Sequence, residues 1–138
     1  SQSISAGRAL LHLLSWLQLS DRPISRLLGL WTISACLDQA DELFASARYS
    51  AAAEFCQLAK QAFPYTHGPV GDVYILRGNA LKAQKLYADA HAEFKEGENS
   101  LRRALPAMSA APERLSHIQE LIQTLAREAD ALKGYERA

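Results

Sequence analysis

Apolar residues recur at steps of three and four positions along most of the chain, which is the spacing of one face of an α-helix. The first such run, ALLHLLSWLQLS at residues 9–20, is too short to span a bilayer and is interrupted by polar residues. No stretch of useful length alternates apolar and polar residues as a strand would. The pattern therefore predicts an all-α fold of about six or seven helices.

Turn-forming residues divide this pattern into separate helices. The segment SDRPIS at residues 20–25 offers a capping side chain and a first-turn proline. It predicts a second helix over about Ile24–Ala45, with a break near Gly29. An alanine-rich helix is expected over Ser50–Phe63. Proline and glycine mark the later boundaries, which are residues 64–71, residues 106–113 and Gly134.

Two stretches of the chain, residues 36–64 and 74–101, share a pattern of small and aromatic positions. In each, a small residue is followed nine positions later by a tyrosine, then after three by an alanine and after seven by another small residue. The first stretch holds Ala40, Tyr49, Ala52 and Ala59, and the second holds Gly78, Tyr87, Ala90 and Gly97. An aromatic residue, Phe55 or Phe94, lies between the last two. Small residues let facing helices approach to about 8–10 Å, and the aromatic fills the wedge between hairpins.

This pattern resembles the tetratricopeptide repeat, a helix–turn–helix unit of about 34 residues that stacks into a superhelix. The resemblance covers about residues 33–100. It implies antiparallel helical hairpins stacked in a right-handed superhelix, within a single domain over residues 1–138. The parts would be apolar amino-terminal helices (1–32), a first repeat (33–66), a second repeat (71–105) and a long carboxy-terminal helix or truncated third repeat (112–138).

The chain departs from the family pattern at the loop between its repeats, because Tyr49 and Tyr87 stand further apart than one family unit of about 34 residues. In addition, Phe55 stands one place early. A third, partial copy would comprise Ala126, Tyr135 and Ala138, at the same steps of nine and three positions. One hypothesis is that the chain is the front part of a longer repeat protein. The alternative is a lone last helix that covers the array.

The resemblance also implies a binding groove, because the first helix of each unit in that family lines a concave surface that receives a peptide or helix of a partner. The implied positions are Leu37, Asp41 and Phe44 in the first unit, Ile75, Asn79 and Lys82 in the second, and Gln123, Arg127 and Asp130 in a third. The alternative is that Leu37, Phe44 and Ile75 are ordinary core residues. One subclass clamps a terminal carboxylate with lysine and asparagine, but Leu37 and Asp41 occupy those places, so such binding is not expected.

Composition narrows the class of partner. The 138 residues carry 15 lysines and arginines and 15 aspartates and glutamates, so no net charge draws the chain to nucleic acid or to an anionic membrane. Residues 1–40 hold few charges, so their apolar surface is expected to be buried in the domain or against a partner. The same helices could mediate homo-oligomerisation. Cys36 and Cys56 fit the reduced, buried thiols of an intracellular protein, cytoplasmic or nuclear, with a disulfide as the alternative.

The residues give no sign of catalysis or of a cofactor. The four histidines lack paired ligand spacing, so no metal site is expected. A thiol nucleophile would need an oriented base, and no local motif provides one. The segment GPVGD at residues 68–72 lacks the lysine and hydroxyl of a phosphate loop. Neighbouring carboxylates such as Glu96 and Glu98 are expected to be solvated. The sequence therefore predicts a non-enzyme.

Three functions stay open at this point. The first is a scaffold module that binds a partner within a multisubunit assembly. Its apolar helices before the repeats look weakly like the amino-terminal region of repeat subunits of the anaphase-promoting complex, which mediates self-association. The second is a small chaperone that shields an apolar helix of a secretion-system subunit. The third is a regulatory domain of a larger enzyme.

Overall fold

The computed structural model describes residues 7–9, 11, 12, 23–66 and 68–135. Residues 7–9, 11 and 12 are helical, and the rest form five α-helices with short connections. The helices are α1 (Pro23–Ala45), α2 (Tyr49–Lys60), α3 (Gly71–Ala83), α4 (Tyr87–Ala104) and α5 (Pro112–Ala131), with short 3₁₀ helices at Phe63–Tyr65 and Leu105–Ala107. The described residues contain no strand, which confirms the all-α prediction; the superhelix stays a prediction. Most of the predicted helix at 9–20, and Ala138, lie outside the described residues.

The predicted break in the second helix is wrong. Helix α1 runs without interruption through Gly29. A Cβ on this residue would lie 3.1 Å from Cβ of Tyr65 and 3.0 Å from Cγ2 of Thr66. The glycine therefore does not end the helix, but lets the 3₁₀ turn and the residue after it pack closely against it.

The chain divides into two compact units, residues 1–68 and 69–138. In the first, α1 and α2 form a hairpin whose facing positions are small. Ala40, Ala52 and Ala59 are fully buried between the helices, together with the Cys56 side chain. Gly7 belongs to the same unit, and a Cβ on it would lie 2.6 Å from Cδ2 of Leu58 on α2. The small residues of the sequence pattern thus lie where the helices meet.

The second unit is a hairpin of α3 and α4 with α5 packed against both. Two glycines let α3 and α4 approach each other, and each glycine lies against an aromatic ring on the other helix. A Cβ on Gly78 would overlap the ring of Phe94, and a Cβ on Gly97 would lie 2.7 Å from Cγ of Tyr74. All three helices meet at Gly71, where a Cβ would lie 3.0 Å from the side chains of Leu101 and Leu121.

Both hairpins close with the same backbone turn at equivalent positions of the sequence repeat. In each, a residue with positive φ follows the first helix, and the next N–H donates to a carbonyl five positions earlier. The residues with positive φ are Ala47 (60°) and Lys85 (63°). The hydrogen bonds run from Arg48 N to Leu43 O (2.8 Å) and from Leu86 N to Leu81 O (3.0 Å). The sequence repeat is therefore also a repeat of local backbone structure.

Glycine suits these two turn positions better than the residues that occupy them, because a Cβ is strained at positive φ. We expect Lys85→Gly to raise the free energy of unfolding by about 0.5–1 kcal/mol, measured by urea denaturation. The matched control is Ala83→Gly, at the end of α3, which should lower it by a similar amount because its helical backbone gains nothing from glycine. Equal losses in both variants would contradict the assignment of the turn.

Candidate partner-binding surface

In the first unit, the three predicted groove residues lie along one stripe of α1. Leu37, Asp41 and Phe44 are spaced by four and three positions, so they share a helix face. Asp41 is exposed, while Leu37 and Phe44 are half-buried. The Phe44 ring meets the Tyr49 ring of α2 edge-on, with centroids 5.0 Å apart. This contact fixes the aromatic side chain at the rim of the hairpin and leaves part of it open to solvent.

In the second unit, the corresponding residues lie along one stripe of α3. Ile75, Asn79 and Lys82 have the same spacing and are all half-buried. The Lys82 ammonium nitrogen lies 3.0 Å from Oε2 of Glu128 on α5. Both side chains keep about a third of their surface in solvent, so this ion pair is worth less than about 1 kcal/mol. The stripe is therefore flanked by α5 but not covered by it at Lys82.

The three predicted residues of α5 lie outside its buried face. Gln123, Arg127 and Asp130 are exposed. The buried side of α5 is built from Ile122, Leu125 and Ala129. At about 100° per residue, this places Arg127 on the opposite side of the helix, and Gln123 and Asp130 on the flank that faces away from Glu128. The Arg127 guanidinium instead donates to the Thr124 hydroxyl, 3.3 Å away on its own helix. Glu128, which the sequence pattern missed, is the residue that α5 directs to the α3 stripe.

The two stripes occupy equivalent positions of their hairpins. The pairs related by the repeat are Leu37 and Ile75, Asp41 and Asn79, and Phe44 and Lys82. None of the six is buried, so the interpretation of Leu37, Phe44 and Ile75 as ordinary core residues does not describe them fully. Whether they bind a partner stays a prediction.

Helix α4 carries buried carboxylates that the sequence pattern did not reveal. Glu98 was expected to be solvated, but it is only 7% exposed. Oε1 accepts from the Lys95 ammonium at 3.3 Å and Oε2 from the Arg102 guanidinium at 2.9 Å. Burial alone would raise the pKa of Glu98, but these hydrogen bonds and positive charges outweigh it and lower the pKa. The carboxylate is therefore held in its charged form by neighbours on its own helix.

A second buried carboxylate joins α4 to α3. Glu93 is 4% exposed, and its Oε1 accepts from the Arg77 guanidinium at 2.7 Å. Nearby on α3, burial raises the pKa of Tyr74; hydrogen bonding to Ser100 lowers it and the neighbouring glutamates raise it. The Tyr74 hydroxyl thus stays protonated at neutral pH. Arg77, Glu93 and Tyr74 lie in the interface between α3 and α4, where they contribute packing and polar contacts.

The thiols offer no reactive group. Cys36 and Cys56 are both buried. Burial raises the pKa of Cys36, which keeps it as the unreactive thiol. Within the described ranges, no three His, Cys, Asp or Glu side chains cluster as metal ligands would. No helix among the described residues is long and apolar enough to cross a membrane.

Comparisons of the chain with protein-family models, with curated proteins and with solved structures find no match. The resemblance to tetratricopeptide repeats therefore depends on the residue pattern, together with the repeated hairpin and turn described above. It stays a prediction.

Proposed function

We propose that this protein is a helical-repeat module that binds a peptide or helix of a partner protein within a multisubunit assembly. The observation that carries the proposal is the repeated stripe. The two hairpins have the same turn, and each carries three residues at equivalent positions of its first helix. None of these six residues is buried in the core. Surface-accessible side chains of mixed character on the first helix of a rigid hairpin are what a groove of this class uses.

The composition of the stripes indicates the ligand. Leu37 and Ile75 give each hairpin an apolar contact, and Phe44 adds an aromatic one. Asp41 and Lys82 carry opposite charges. Each stripe by itself fits a segment with an apolar anchor residue, beside a basic residue at Asp41 and beside an acidic residue at Lys82. The stripe of α1 fits a purely anionic tail poorly, because Asp41 would repel it.

A binding role also suits the rest of the chain. Its two thiols are buried, and no nucleophile lies beside a base in any sequence motif. The buried carboxylates on α4 are paired with arginine or lysine side chains, so they do not point to proton transfer. Reduced, buried thiols also favour an intracellular location, as part of the same proposal.

The test selects ligands from a phage-displayed peptide library on the intact chain. Binding of the selected peptides is then measured by fluorescence anisotropy to the variant Asn79→Ala with Lys82→Gln. We expect affinity to fall at least about tenfold, as loss of two polar contacts implies. Glutamine is chosen at position 82 because a glutamate there would repel Glu128 and could disturb the fold.

The matched control carries the same kinds of change elsewhere, Asn99→Ala with Arg114→Gln. Both of these residues are exposed and lie outside the two stripes. Circular dichroism melts of the two double variants should coincide. The proposal fails if the library yields no binder, or if every selected peptide binds both double variants equally well.

A further inference from the structure

The Lys82 ammonium group, at the carboxy-terminal end of the α3 stripe, is already paired with a carboxylate of its own chain. Its nitrogen lies 3.0 Å from Oε2 of Glu128 on α5. Among the described residues, each of these two groups is the one ion-pair partner of the other. The side chains are 38% and 33% exposed. The ion pair therefore lies at the surface of the second unit, where both solvent and a ligand of the stripe can reach it.

Lys82 and Glu128 are positioned by different parts of the second unit. Lys82 belongs to the last turn of α3, where the helix dipole favours a positive charge. Glu128 stands next to Ala129, which is buried and holds this turn of α5 in place. The two backbone positions thus do not depend on the ion pair. The Glu128 carboxylate can turn into solvent when another anion takes its place on Lys82.

We propose that Glu128 is an intramolecular competitor for the ligand of the α3 stripe. It occupies Lys82 while no ligand is bound, and an acidic side chain of the bound segment displaces it. This inference rests on the proposed function, because it assigns the regulation and part of the specificity of that same surface. Glu128 itself shows the chemistry that Lys82 accepts, which is a carboxylate at hydrogen-bond distance.

The competition favours one class of segment. An acidic side chain beside the apolar anchor exchanges one ion pair for another, whereas a basic side chain at the same place would meet the Lys82 charge without compensation. The effect is confined to the α3 stripe, because Phe44 holds the position equivalent to Lys82 in the first unit. The ligand of the second unit is therefore expected to carry a carboxylate close to the residue that contacts Ile75.

The size of the effect follows from the exposure of the pair. A surface ion pair at the stronger end of the usual range is closed roughly two to five times as often as it is open. The apparent dissociation constant equals the intrinsic one divided by the fraction of molecules that are competent to bind. Removing the Glu128 charge should therefore tighten the binding of an acidic peptide about three- to sixfold.

The test uses the peptides selected from the phage-displayed library on the intact chain. Each peptide is made with its acidic residues and again with glutamine or asparagine in their place, and binding is measured by fluorescence anisotropy. Glu128→Gln should tighten the binding of the acidic peptides about three- to sixfold and leave that of the neutral analogues unchanged. The matched control Glu120→Gln removes the same charge from an exposed position of α5, about 12 Å away along the helix. It should change either affinity by less than about twofold, because salt screens exposed charges at that distance.

A second background separates competition from simple repulsion. In a chain that carries Lys82→Gln, Glu128→Gln should give no gain, because no ammonium group is left to be released. A gain of the same size in that background would show that Glu128 repels the ligand without occupying its site, and it would overturn the proposal. Circular dichroism melts of Glu128→Gln and Glu120→Gln should nearly coincide with that of the unchanged chain.

The outcomes distinguish this inference from the proposed function. Selected peptides that contain no acidic residue, or acidic peptides that Glu128→Gln binds no more tightly, overturn the competition and leave the groove standing. A library that yields no binder, or binders that do not depend on either stripe, removes the groove and this inference with it.

Discussion

Replacing Gly78 by leucine is expected to lower the free energy of unfolding by roughly 1–3 kcal/mol or more, the range for overpacking a tight interface. Even a single Cβ at this position would lie 2.7 Å from Cδ1 of Phe94 and overlap the ring. Phe94 is fully buried and cannot move aside without displacing its own neighbours. Urea denaturation followed by circular dichroism measures the loss. The melting temperature should fall by several degrees, since 1 kcal/mol is worth roughly 2–8 °C for chains of this size class.

A double-mutant cycle shows whether the loss comes from this contact. Gly78→Ala and Phe94→Leu should each destabilise, the first by crowding the ring and the second by leaving space. Together they should cost less than the sum of the two, because the smaller side chain makes room for the added methyl group. Ala92→Leu, at an exposed position of α4, is the size-matched control and should be nearly neutral. Strict additivity, or an unchanged melting temperature in Gly78→Leu, would contradict the packing described here.

The helices were predicted well from the sequence because their signals are local. Apolar periodicity, prolines and turn residues act within a few positions, and they placed the hairpins and the close-approach positions Gly78 and Gly97. The error at Gly29 has a physical cause. The low helix propensity of glycine is real, but in α1 it is outweighed by packing against Tyr65 and Thr66, which are remote in sequence.

The surface and the buried charges were harder to predict because they depend on which side of a helix the neighbours cover. Arg127 and Asp130 have the right spacing for a groove, but α5 is rotated so that Glu128 meets α3 instead. The sequence around Glu98 contains a signal from which its burial could have been predicted. Lys95 and Arg102 stand three and four positions away, where they can satisfy a buried carboxylate.

Glu93 is explained by the repeat itself. The offset that relates Lys85 to Ala47 also relates Glu93 to Phe55, which is buried as well. The second unit thus places a carboxylate where the first places an aromatic ring. Arg77 corresponds in the same way to Gln39. A buried carboxylate needs a partner, and the exchange of glutamine for arginine supplies one at 2.7 Å. The two units therefore fill equivalent positions of their hairpins with different kinds of side chain.

Removing the Glu93 carboxylate while keeping Arg77 should give a large loss in the free energy of unfolding. Glu93→Leu keeps much of the side-chain volume but leaves the Arg77 guanidinium, which is 25% exposed and whose Nε already lacks a hydrogen-bond partner, beside an apolar group. We expect a loss of about 3 kcal/mol, the low end for removing one partner of a buried pair, because Arg77 keeps some contact with solvent. Urea denaturation with the unchanged chain as reference measures it.

Removing the second charge as well should restore most of the stability. Arg77→Gln with Glu93→Leu gives these two positions an uncharged polar and an apolar side chain, as Gln39 and Phe55 do in the first unit. Removing both charges of a buried ion pair is often neutral when the replacing side chains pack well. The double variant should therefore unfold within about 1 kcal/mol of the unchanged chain, and the coupling between the two substitutions should be large and favourable. If the double variant is as unstable as Glu93→Leu alone, the Glu93 carboxylate stabilises the fold through partners other than Arg77. In that case the equivalence of the two hairpins at this position does not extend to their energetics.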